Sequence, residues 1–370
     1  MITGVIIGVP KERKADENRV AIIPGAVPVF LKEGHKVLIE KEAGKGSGIE
    51  DIEFELAGAE IVSTAEELYE RAEMIYKVKE PQPSEYNMLR EGQIIFAYFH
   101  LAAEPEVTRV LMEKKVVAVA YETVIVDGKI PMLAPMSEIA GRMATQIGAH
   151  FLEKSNGGRG VLLGGVPGVT PAEVVILGGG IVGVNAARIA MGMGAKVTVI
   201  DINVQRLRYL DEANGGRLLT LYSNPQNIAQ AVAKADLLIG AVLIPGGRTP
   251  QLCTKEMVAT MQPGSVIVDV AIDQGGCIET MDHATTHGSP TYERYGVLHY
   301  AVPNIPGAVP RTSTYALSNA TLPFALELAG KGCERVMEER GPLSQGINVI
   351  NGKVVNKAVA EALSLDCYTY

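Results

Sequence analysis

The sequence contains no tryptophan and only six phenylalanines, and aromatic residues make up 5% of its 370 residues. Its core must therefore be built from Val, Ile, Leu, Ala and Met, which are plentiful because 47% of the residues are hydrophobic. The chain also has no long basic run and a net charge of −8, which argues against a nucleic-acid partner. A chain of this length predicts two domains of ordinary size.

Cysteine is scarce, and its four copies lie far apart at Cys253, Cys277, Cys333 and Cys367. No CxxC or Cys/His spacing occurs, so the sequence predicts no metal site and no disulfide framework. Reduced cysteines indicate a cytoplasmic protein. The apolar run in MITGVIIGVPKE is too short for a signal peptide or a spanning helix, so we expect no membrane partner.

Short Val- and Ile-rich runs alternate with helical patterns along the chain. In the first part we predict strands at 4–10, 35–41, 74–81, 93–100 and 116–123 and helices at 24–34, 65–74 and 105–115. A long helical pattern at 136–154 and a glycine-rich loop lead to a second series, with strands at 173–177, 195–200, 217–222, 237–244, 265–272 and 297–302 and a helix at 312–332.

This order predicts an α/β protein made of two doubly wound domains, with a substrate cleft between them. We expect a substrate domain of residues 1–130, completed by 307–370, because the proline-rich turn at 303–310 can return the chain to it. Residues 135–306 are expected to form a Rossmann dinucleotide-binding domain.

A glycine-rich turn supports that assignment. Gly178, Gly180 and Gly183 satisfy G-x-G-x-x-G between the apolar strand VVIL and a helical pattern. Gly178 permits the tight turn, Gly180 lets a pyrophosphate approach the backbone, and Gly183 allows close packing of helix on strand. The helix N-terminus then offers N–H groups to the phosphates.

An acidic residue follows this turn at the expected distance. The strand KVTVI ends at Asp201, whose carboxylate is expected to accept hydrogen bonds from the adenosine ribose. It would repel a 2′-phosphate, so NAD is favoured over NADP. Arg206 lies one helical turn further on and weakens that preference slightly.

Three charged or titratable residues lie near the carboxyl ends of first-domain strands, where open α/β sheets bind ligands. They are Arg19, Lys79 and His100. Two cations and an imidazole suit a small carboxylate or keto acid. Two alternatives stay open at this point: Lys79 on a solvated edge, and His100 as a core histidine.

Two aspartates compete for a place in the nucleotide domain. The buried strand in VIVDVAIDQGGC contains Asp269 and runs into Asp273 and two glycines. A carboxylate at the end of an apolar strand points to a ligand cleft, so we favour Asp273 as the functional residue. Asp269 is expected to be a hydrogen-bonded structural aspartate.

Beyond these single motifs, a series of segments spans the chain in order. It includes GVPKERKADENRVAIIP, YKVKEP, HLAA, LAPMSEIAGRMA, GGRGVLLGGVPGV, DLLIGAVLIPG, VDVAIDQGGC and PRTSTYALSNATLP. In these segments the chain closely resembles the L-alanine dehydrogenase family, which also includes the NAD-binding subunit of proton-translocating transhydrogenase.

The resemblance implies an NAD-dependent oxidoreductase of L-alanine catabolism that converts L-alanine reversibly to pyruvate and ammonium, usually as a homohexamer. By motif match, Arg19 and Lys79 would hold the substrate, His100 would be the general acid/base, and Asp273 would assist proton transfer. The implied NAD contacts, beside the three glycines, are Ser137, Ile181, Val182, Asp201, Arg206, Ser223, Val242, Leu243, Val270, Ala271, Ile272, Asp273, Val302, Pro303, Asn304 and Ile305.

One departure from the family pattern is visible, and one alternative function remains. Family members often carry Arg-Pro-Thr-Thr after the Asp-Gln-Gly-Gly motif, whereas this chain reads HATTH with His283 in the place of the arginine. The alternative is a transhydrogenase-type NAD(H)-binding subunit, which would need no amino-acid pocket. A non-catalytic NAD-binding protein is a third possibility.

Overall fold

The computed structural model describes residues 4–242, 249–272 and 275–368. The chain divides into two compact units. The first comprises Met1–Met136 and Val309–Tyr370, and the second comprises Ser137–Ala308. No helix within the described ranges is long and apolar enough to cross a membrane.

The strands of the described residues follow in chain order. They are β1 (Ile6–Val9), β2 (Lys36–Glu40), β3 (Glu60–Val62), β4 (Met74–Tyr76), β5 (Ile94–Ala97), β6 (Val117–Ala120), β7 (Glu173–Leu177), β8 (Lys196–Asp201), β9 (Leu219–Tyr222), β10 (Leu237–Gly240), β11 (Val266–Asp269), β12 (Thr291–Arg294), β13 (Val297–Tyr300), β14 (Ile347–Ile350) and β15 (Lys353–Val354).

The α-helices lie between these strands. They are α1 (Val27–Lys32), α2 (Asp51–Leu56), α3 (Ala65–Arg71), α4 (Pro105–Glu113), α5 (Ala134–Phe151), α6 (Ile181–Gly192), α7 (Val204–Asn214), α8 (Pro225–Val232), α9 (Lys255–Val258), α10 (Pro310–Glu339) and α11 (Lys357–Leu363).

The first unit is built on a sheet in the order β15-β14-β6-β5-β4-β1-β2-β3. Strands β1 to β6 are parallel, and β14 and β15 extend the sheet in antiparallel fashion at the β6 edge. The strands are largely buried, as expected for a parallel sheet covered by helices. Val349 and Val354 of the added strands are fully buried in the same core as Ile95 of β5.

The second unit has a sheet in the order β12-β13-β11-β10-β7-β8-β9. All of its strands are parallel except β12, which pairs with β13 in antiparallel fashion. Strand order reverses beside β7, as in the doubly wound dinucleotide-binding fold. The predicted fold class is therefore confirmed, with antiparallel strands added at one edge of each sheet.

Several predicted boundaries were wrong. Strand β4 ends at Tyr76 instead of residue 81, because the Val78 N–H is bonded to the Glu12 carboxylate instead of to a neighbouring strand. Strand β10 ends at Gly240 instead of 244. Helix α10 breaks at Gly332, with φ 72° and ψ 163°, and a further helical stretch then follows. The elements absent from the prediction are α2, β3, α7, α8, α9, β12, β14, β15 and α11.

Candidate active site

Three of the predicted residues follow neighbouring strands of the first sheet. Arg19 lies in the loop after β1, Lys79 lies three residues after β4, and His100 lies three residues after β5. Because β1, β4 and β5 are adjacent and parallel, these residues share the carboxyl edge of the sheet. The fold therefore brings them to the edge at which open α/β sheets bind ligands.

Arg19 is buried and held by an acidic neighbour. Its Nε donates to Glu17 Oε1 at 2.6 Å, and its Nη2 donates to Glu17 Oε2 at 2.5 Å. Its Nη1 also contacts the sulfur of Met136 at 3.1 Å. Burial opposes ionisation of Glu17, but the hydrogen bonds and charge of Arg19 outweigh it, so the pKa of that carboxyl is lowered. The bidentate pair fixes the plane of the guanidinium.

Lys79 is half-buried, and no carboxylate of the described residues lies within ion-pair distance of its ammonium. Burial, and then the positive charges of Arg19 and Lys14, lower the pKa of Lys79. These effects argue against a solvated edge position. Arg19 and Lys79 are two neighbouring cations in a partly desolvated environment. Such a pair is suited to binding an anion such as a carboxylate.

His100 is exposed, so the core-histidine alternative is wrong. Its backbone is left-handed, with φ 53° and ψ 40°, and its N–H donates to Glu122 Oε1 at 2.6 Å. The same oxygen accepts the N–H of Phe99 at 3.1 Å. The other oxygen, Oε2, is buried without a hydrogen-bond partner in the described part of the chain. Glu122, which follows β6, therefore fixes the turn that presents His100.

The predicted dinucleotide-binding residues gather at the carboxyl edge of the second sheet. Each group begins at or just after the end of a parallel strand, and Ser137 lies in helix α5. The described members are Gly178, Gly180, Ile181, Val182 and Gly183 after β7, Asp201 and Arg206 at and after β8, Ser223 after β9, Val242 after β10, Val270, Ala271 and Ile272 after β11, and Val302, Pro303, Asn304 and Ile305 after β13.

The glycine turn has the geometry that its predicted role needs. Gly178 adopts φ 101°, a conformation that favours glycine. A Cβ on Gly183 would lie 1.9 Å from the Gly178 oxygen, so α6 packs on β7 only because that position is glycine. A Cβ on Gly180 would meet no atom of the described residues within 4 Å, so their packing does not require glycine there. The open position fits a pyrophosphate at the N-terminus of α6.

Asp201, the last residue of β8, is hydrogen bonded to the glycine turn. Its Oδ2 accepts the Gly179 N–H at 2.6 Å, and its Oδ1 accepts the Asn203 N–H at 2.7 Å. Arg206 donates from Nε to the Gly179 oxygen at 2.5 Å. A carboxylate and a guanidinium are therefore both held against the glycine turn.

Asp269 has the structural role predicted for it. It is fully buried, and it accepts the N–H groups of Ala271 at 3.0 Å and Cys277 at 2.8 Å. It thereby ties together the two ends of the loop after β11. Asp273 in that loop and Leu243 after β10 lie outside the described residues, so their predicted roles remain predictions.

Two models of protein families match the chain in succession. The model described as "Alanine dehydrogenase/PNT, N-terminal domain" matches residues 8–140, and "Alanine dehydrogenase/PNT, C-terminal domain" matches residues 144–357. The chain belongs to the alanine dehydrogenase/PNT family. Both halves of the family are therefore present in their usual order.

Individual members of this family match over nearly the whole chain. An alanine dehydrogenase of Methanococcus maripaludis is 62% identical over 362 residues, covering 98% of this chain and 97% of the relative. The structure of an L-alanine dehydrogenase superposes with a TM-score of 0.94 at 52% identity, covering 97% and 99%. A transhydrogenase structure from Sinorhizobium meliloti has a TM-score of 0.82 at 25% identity, covering 95% and 99%.

The departure from the family pattern lies at an exposed position. The Nδ1 atom of His283 is hydrogen bonded to the Asp282 carboxylate, and its ring stacks on Tyr292 with centroids 4.2 Å apart. Arg294 also contacts Asp282, at 3.2 Å. In this family member the histidine is therefore engaged with its own domain. Within the described ranges, no group of three or more His, Cys, Asp or Glu side chains is arranged to hold a metal ion.

The sequence prediction missed the acidic residues that support the site. Glu12 accepts a hydrogen bond from the backbone beside Lys79, and Glu17 forms an ion pair with Arg19. Glu122 accepts a hydrogen bond from the backbone of His100. Glu12 and Glu17 lie within GVPKERKADENRVAIIP, so their segment was recognised although their roles were not. Glu122 follows a predicted strand end, which was the available signal.

Proposed function

We propose that the chain catalyses the NAD-dependent, reversible oxidative deamination of L-alanine to pyruvate and ammonium. The observation that carries this proposal is 62% identity to an alanine dehydrogenase over 98% of the chain. The cation pair at the edge of the first sheet is consistent with a substrate that carries one carboxylate.

Substrate binding is assigned to the first unit. Arg19 and Lys79 bind the carboxylate and the carbonyl oxygen of the substrate and hold the reacting carbon in place. The buried Arg19–Glu17 pair keeps the guanidinium in a fixed orientation, so little side-chain entropy is lost when an anion binds.

Proton transfer is assigned to His100. Its exposed ring exchanges protons with the amine or carbonyl oxygen as the imine and the carbinolamine form and break down. Tyr98 lies beside it with a nearly parallel ring, at a centroid distance of 6.3 Å. Asp273 is proposed to assist this proton transfer, on the resemblance alone.

The second unit is proposed to hold NAD. Gly178, Gly180 and Gly183 give the pyrophosphate access to the N-terminus of α6, and Asp201 selects the unphosphorylated ribose. Bound NAD would supply the hydride acceptor for the Cα hydrogen of alanine. The fit rests on the open space at Gly180 and on the carboxylate at the end of β8.

The alternative is a transhydrogenase-type NAD(H)-binding subunit. The transhydrogenase structure shares 25% identity with the chain, against 62% for the alanine dehydrogenase. A subunit that only binds nucleotide also has no use for the cations at the edge of the first sheet. The residues therefore favour the dehydrogenase.

The decisive experiment follows NADH absorbance with L-alanine, glycine and L-serine as substrates. We expect a rate that depends on L-alanine and is lost in His100→Ala. The matched control is His150→Ala, because His150 is an exposed histidine of the second unit. No rate with any amino acid would reject the dehydrogenase, and a near-normal rate in His100→Ala would remove His100 from its role.

We further propose a cytoplasmic homohexamer. Four free cysteines suit a reducing compartment. Three apolar side chains of the loop before β7 are exposed, Leu162 by 66%, Val166 by 54% and Val169 by 61%, and contact with a second copy would bury them. Light scattering on the purified protein tests the assembly. A monomer at micromolar concentration would contradict it.

A further inference from the structure

Glu12 is a buried carboxylate in the loop after β1, and it bonds a backbone segment 66 residues away. Its Oε1 accepts the Val78 N–H at 2.6 Å. Its Oε2 lies 3.4 Å from the backbone nitrogen of Lys79 and 3.4 Å from the side-chain ammonium of Lys77. One carboxylate therefore contacts three consecutive residues at the point where the backbone leaves strand β4.

This backbone segment is held from two sides. The Val78 oxygen accepts the N–H of Tyr98, and the Lys77 N–H donates to the Phe96 oxygen at 3.1 Å, so the β5 side supplies ordinary strand contacts. Glu12 supplies the opposite side. The backbone at Lys79 is therefore positioned jointly by β5, which leads to His100, and by the Glu12 carboxylate.

The charge of Lys77 does not by itself account for Glu12. Lys77 is fully buried and already paired with Glu85, at 3.0 Å and 3.1 Å to its two carboxylate oxygens. Glu85 is held in turn by the hydroxyl of Tyr69 at 2.8 Å and the N–H of Gln82 at 2.8 Å. Glu85 therefore gives Lys77 one counter-charge through two close contacts, and Glu12 adds a second at 3.4 Å.

Burying a second carboxylate here is unfavourable. Burial raises the pKa of Glu12 to about 7, Lys77 lowers it, and the negative charges of Glu17 and Glu85 raise it. A buried carboxylate is costly unless it is paired and hydrogen-bonded, so the partners of Glu12 show which groups it stabilises. Besides the ammonium of Lys77, Glu12 contacts the backbone N–H groups of Val78 and Lys79, which Glu85 does not contact.

We propose that Glu12 is a positioning residue for Lys79, which it holds in the substrate-binding position through the backbone of residues 78 and 79. The inference rests on the proposed function, because it gives Lys79 the task of binding the substrate carboxylate. Glu12 does not itself touch the substrate. Its removal weakens substrate binding through Lys79, while Arg19 and His100 keep their own supports from Glu17 and Glu122.

The test is the substitution Glu12→Gln, which keeps the size of the side chain and removes its charge. Its amide group cannot accept on both sides, and its NH2 would face donors. We expect the KM for L-alanine and for pyruvate to rise about tenfold. This change corresponds to the loss of one charge-assisted hydrogen bond between Lys79 and the substrate carboxylate. The kcat and the KM for NAD should stay within about twofold, because binding is lost equally in ground and transition states.

The matched control is Glu85→Gln, which removes the other carboxylate beside Lys77 and leaves the bonds to residues 78 and 79 intact. We expect its KM for L-alanine to stay near the wild-type value. An equal rise in both variants would overturn the proposal, because the charge balance of Lys77 would then explain the effect. An unchanged KM in Glu12→Gln would overturn it as well.

A second variant covers the case in which Glu12→Gln fails to fold. Glu12→Asp keeps the charge beside Lys77 but is one methylene too short to reach both N–H groups. We expect it to raise the KM for L-alanine, and an unchanged KM would overturn the proposal. Wild-type activity with L-alanine is measured in the same series. An inactive wild type would reject the proposed function, whereas an active wild type with normal variants would reject only the role of Glu12.

Discussion

The carboxylate of Glu122 accepts the backbone N–H of His100 at 2.6 Å while His100 occupies a left-handed conformation that β-carbon-bearing residues rarely adopt. The Glu122 side chain, which follows β6, thus stabilises an unfavourable turn after the neighbouring strand β5. The orientation of the proposed acid/base is therefore a property of two residues that lie 22 positions apart in the chain.

Substitutions at Glu122 should follow a fixed order. Glu122→Gln keeps one oxygen acceptor and loses only the charge, whereas Glu122→Ala leaves the N–H groups of Phe99 and His100 without their acceptor. We expect kcat to fall in the order wild type, Gln, Ala, with Ala lower by about tenfold or more. Glu113→Gln, at an exposed ion pair with Arg109, is the control. A kcat that is lower in Glu122→Gln than in Glu122→Ala would contradict this role.

Two glycines of the same turn should respond differently to alanine. Gly183→Ala places a Cβ 1.9 Å from the Gly178 oxygen, so the melting temperature should drop clearly. The added Cβ of Gly180→Ala meets no described residue within 4 Å, so the melting temperature should stay unchanged while the KM for NAD rises about tenfold. Thermal melts and initial rates check both. Normal NAD affinity in Gly180→Ala would remove the pyrophosphate from that place.

Coenzyme preference should depend on Asp201. Asp201→Asn removes the charge that repels a 2′-phosphate, and Arg206 is already held against the same turn. We expect the preference for NAD over NADP, measured as the ratio of kcat/KM, to fall by about tenfold. Asp211→Asn, on the exposed side of α7, is the control. An unchanged ratio in Asp201→Asn would show that another group makes the selection.

Glu12 should also leave a signature in the pH dependence of stability. Its folded-state pKa is raised from 4.5 to about 7, so the folded state binds more protons than the unfolded state between these values. The contribution of Glu12 to stability is therefore lost as pH rises through this window, by about 3 kcal/mol at most. Melting temperatures of the wild type and Glu12→Gln, compared from pH 4.5 to 7.5, test this. The difference should shift in favour of the variant as pH rises.

Local patterns were sufficient for much of the fold. The Val- and Ile-rich runs of β1, β2, β5, β6, β7 and β8 are largely apolar and buried, as expected for strands of a covered parallel sheet. The end of β4 was not predictable in the same way. The bond that ends it comes from Glu12, and no local pattern near residue 78 records that partner.

The short strands β14 and β15 were missed for a related reason. They have four and two residues. Strand β14 is assigned by its pairing with β6, more than 200 residues away, and β15 by its pairing with β14. At the candidate site, Arg19, Lys79 and His100 were predicted because strand ends in an α/β sheet form one edge, and their roles remain predictions. Their acidic partners were missed because Glu12, Glu17 and Glu122 resemble ordinary solvated residues until their partners are known.

The pairing of β14 with β6 also bears on how the protein is made. During translation the residues up to 136 leave the ribosome with the β6 edge exposed, and that edge is covered only after residue 350 has been synthesised. The unit of residues 137–308 carries all of its strands in one continuous stretch. Synthesis from the N-terminus therefore allows the second sheet to be completed first, while the β6 edge of the first sheet stays unpaired for longer.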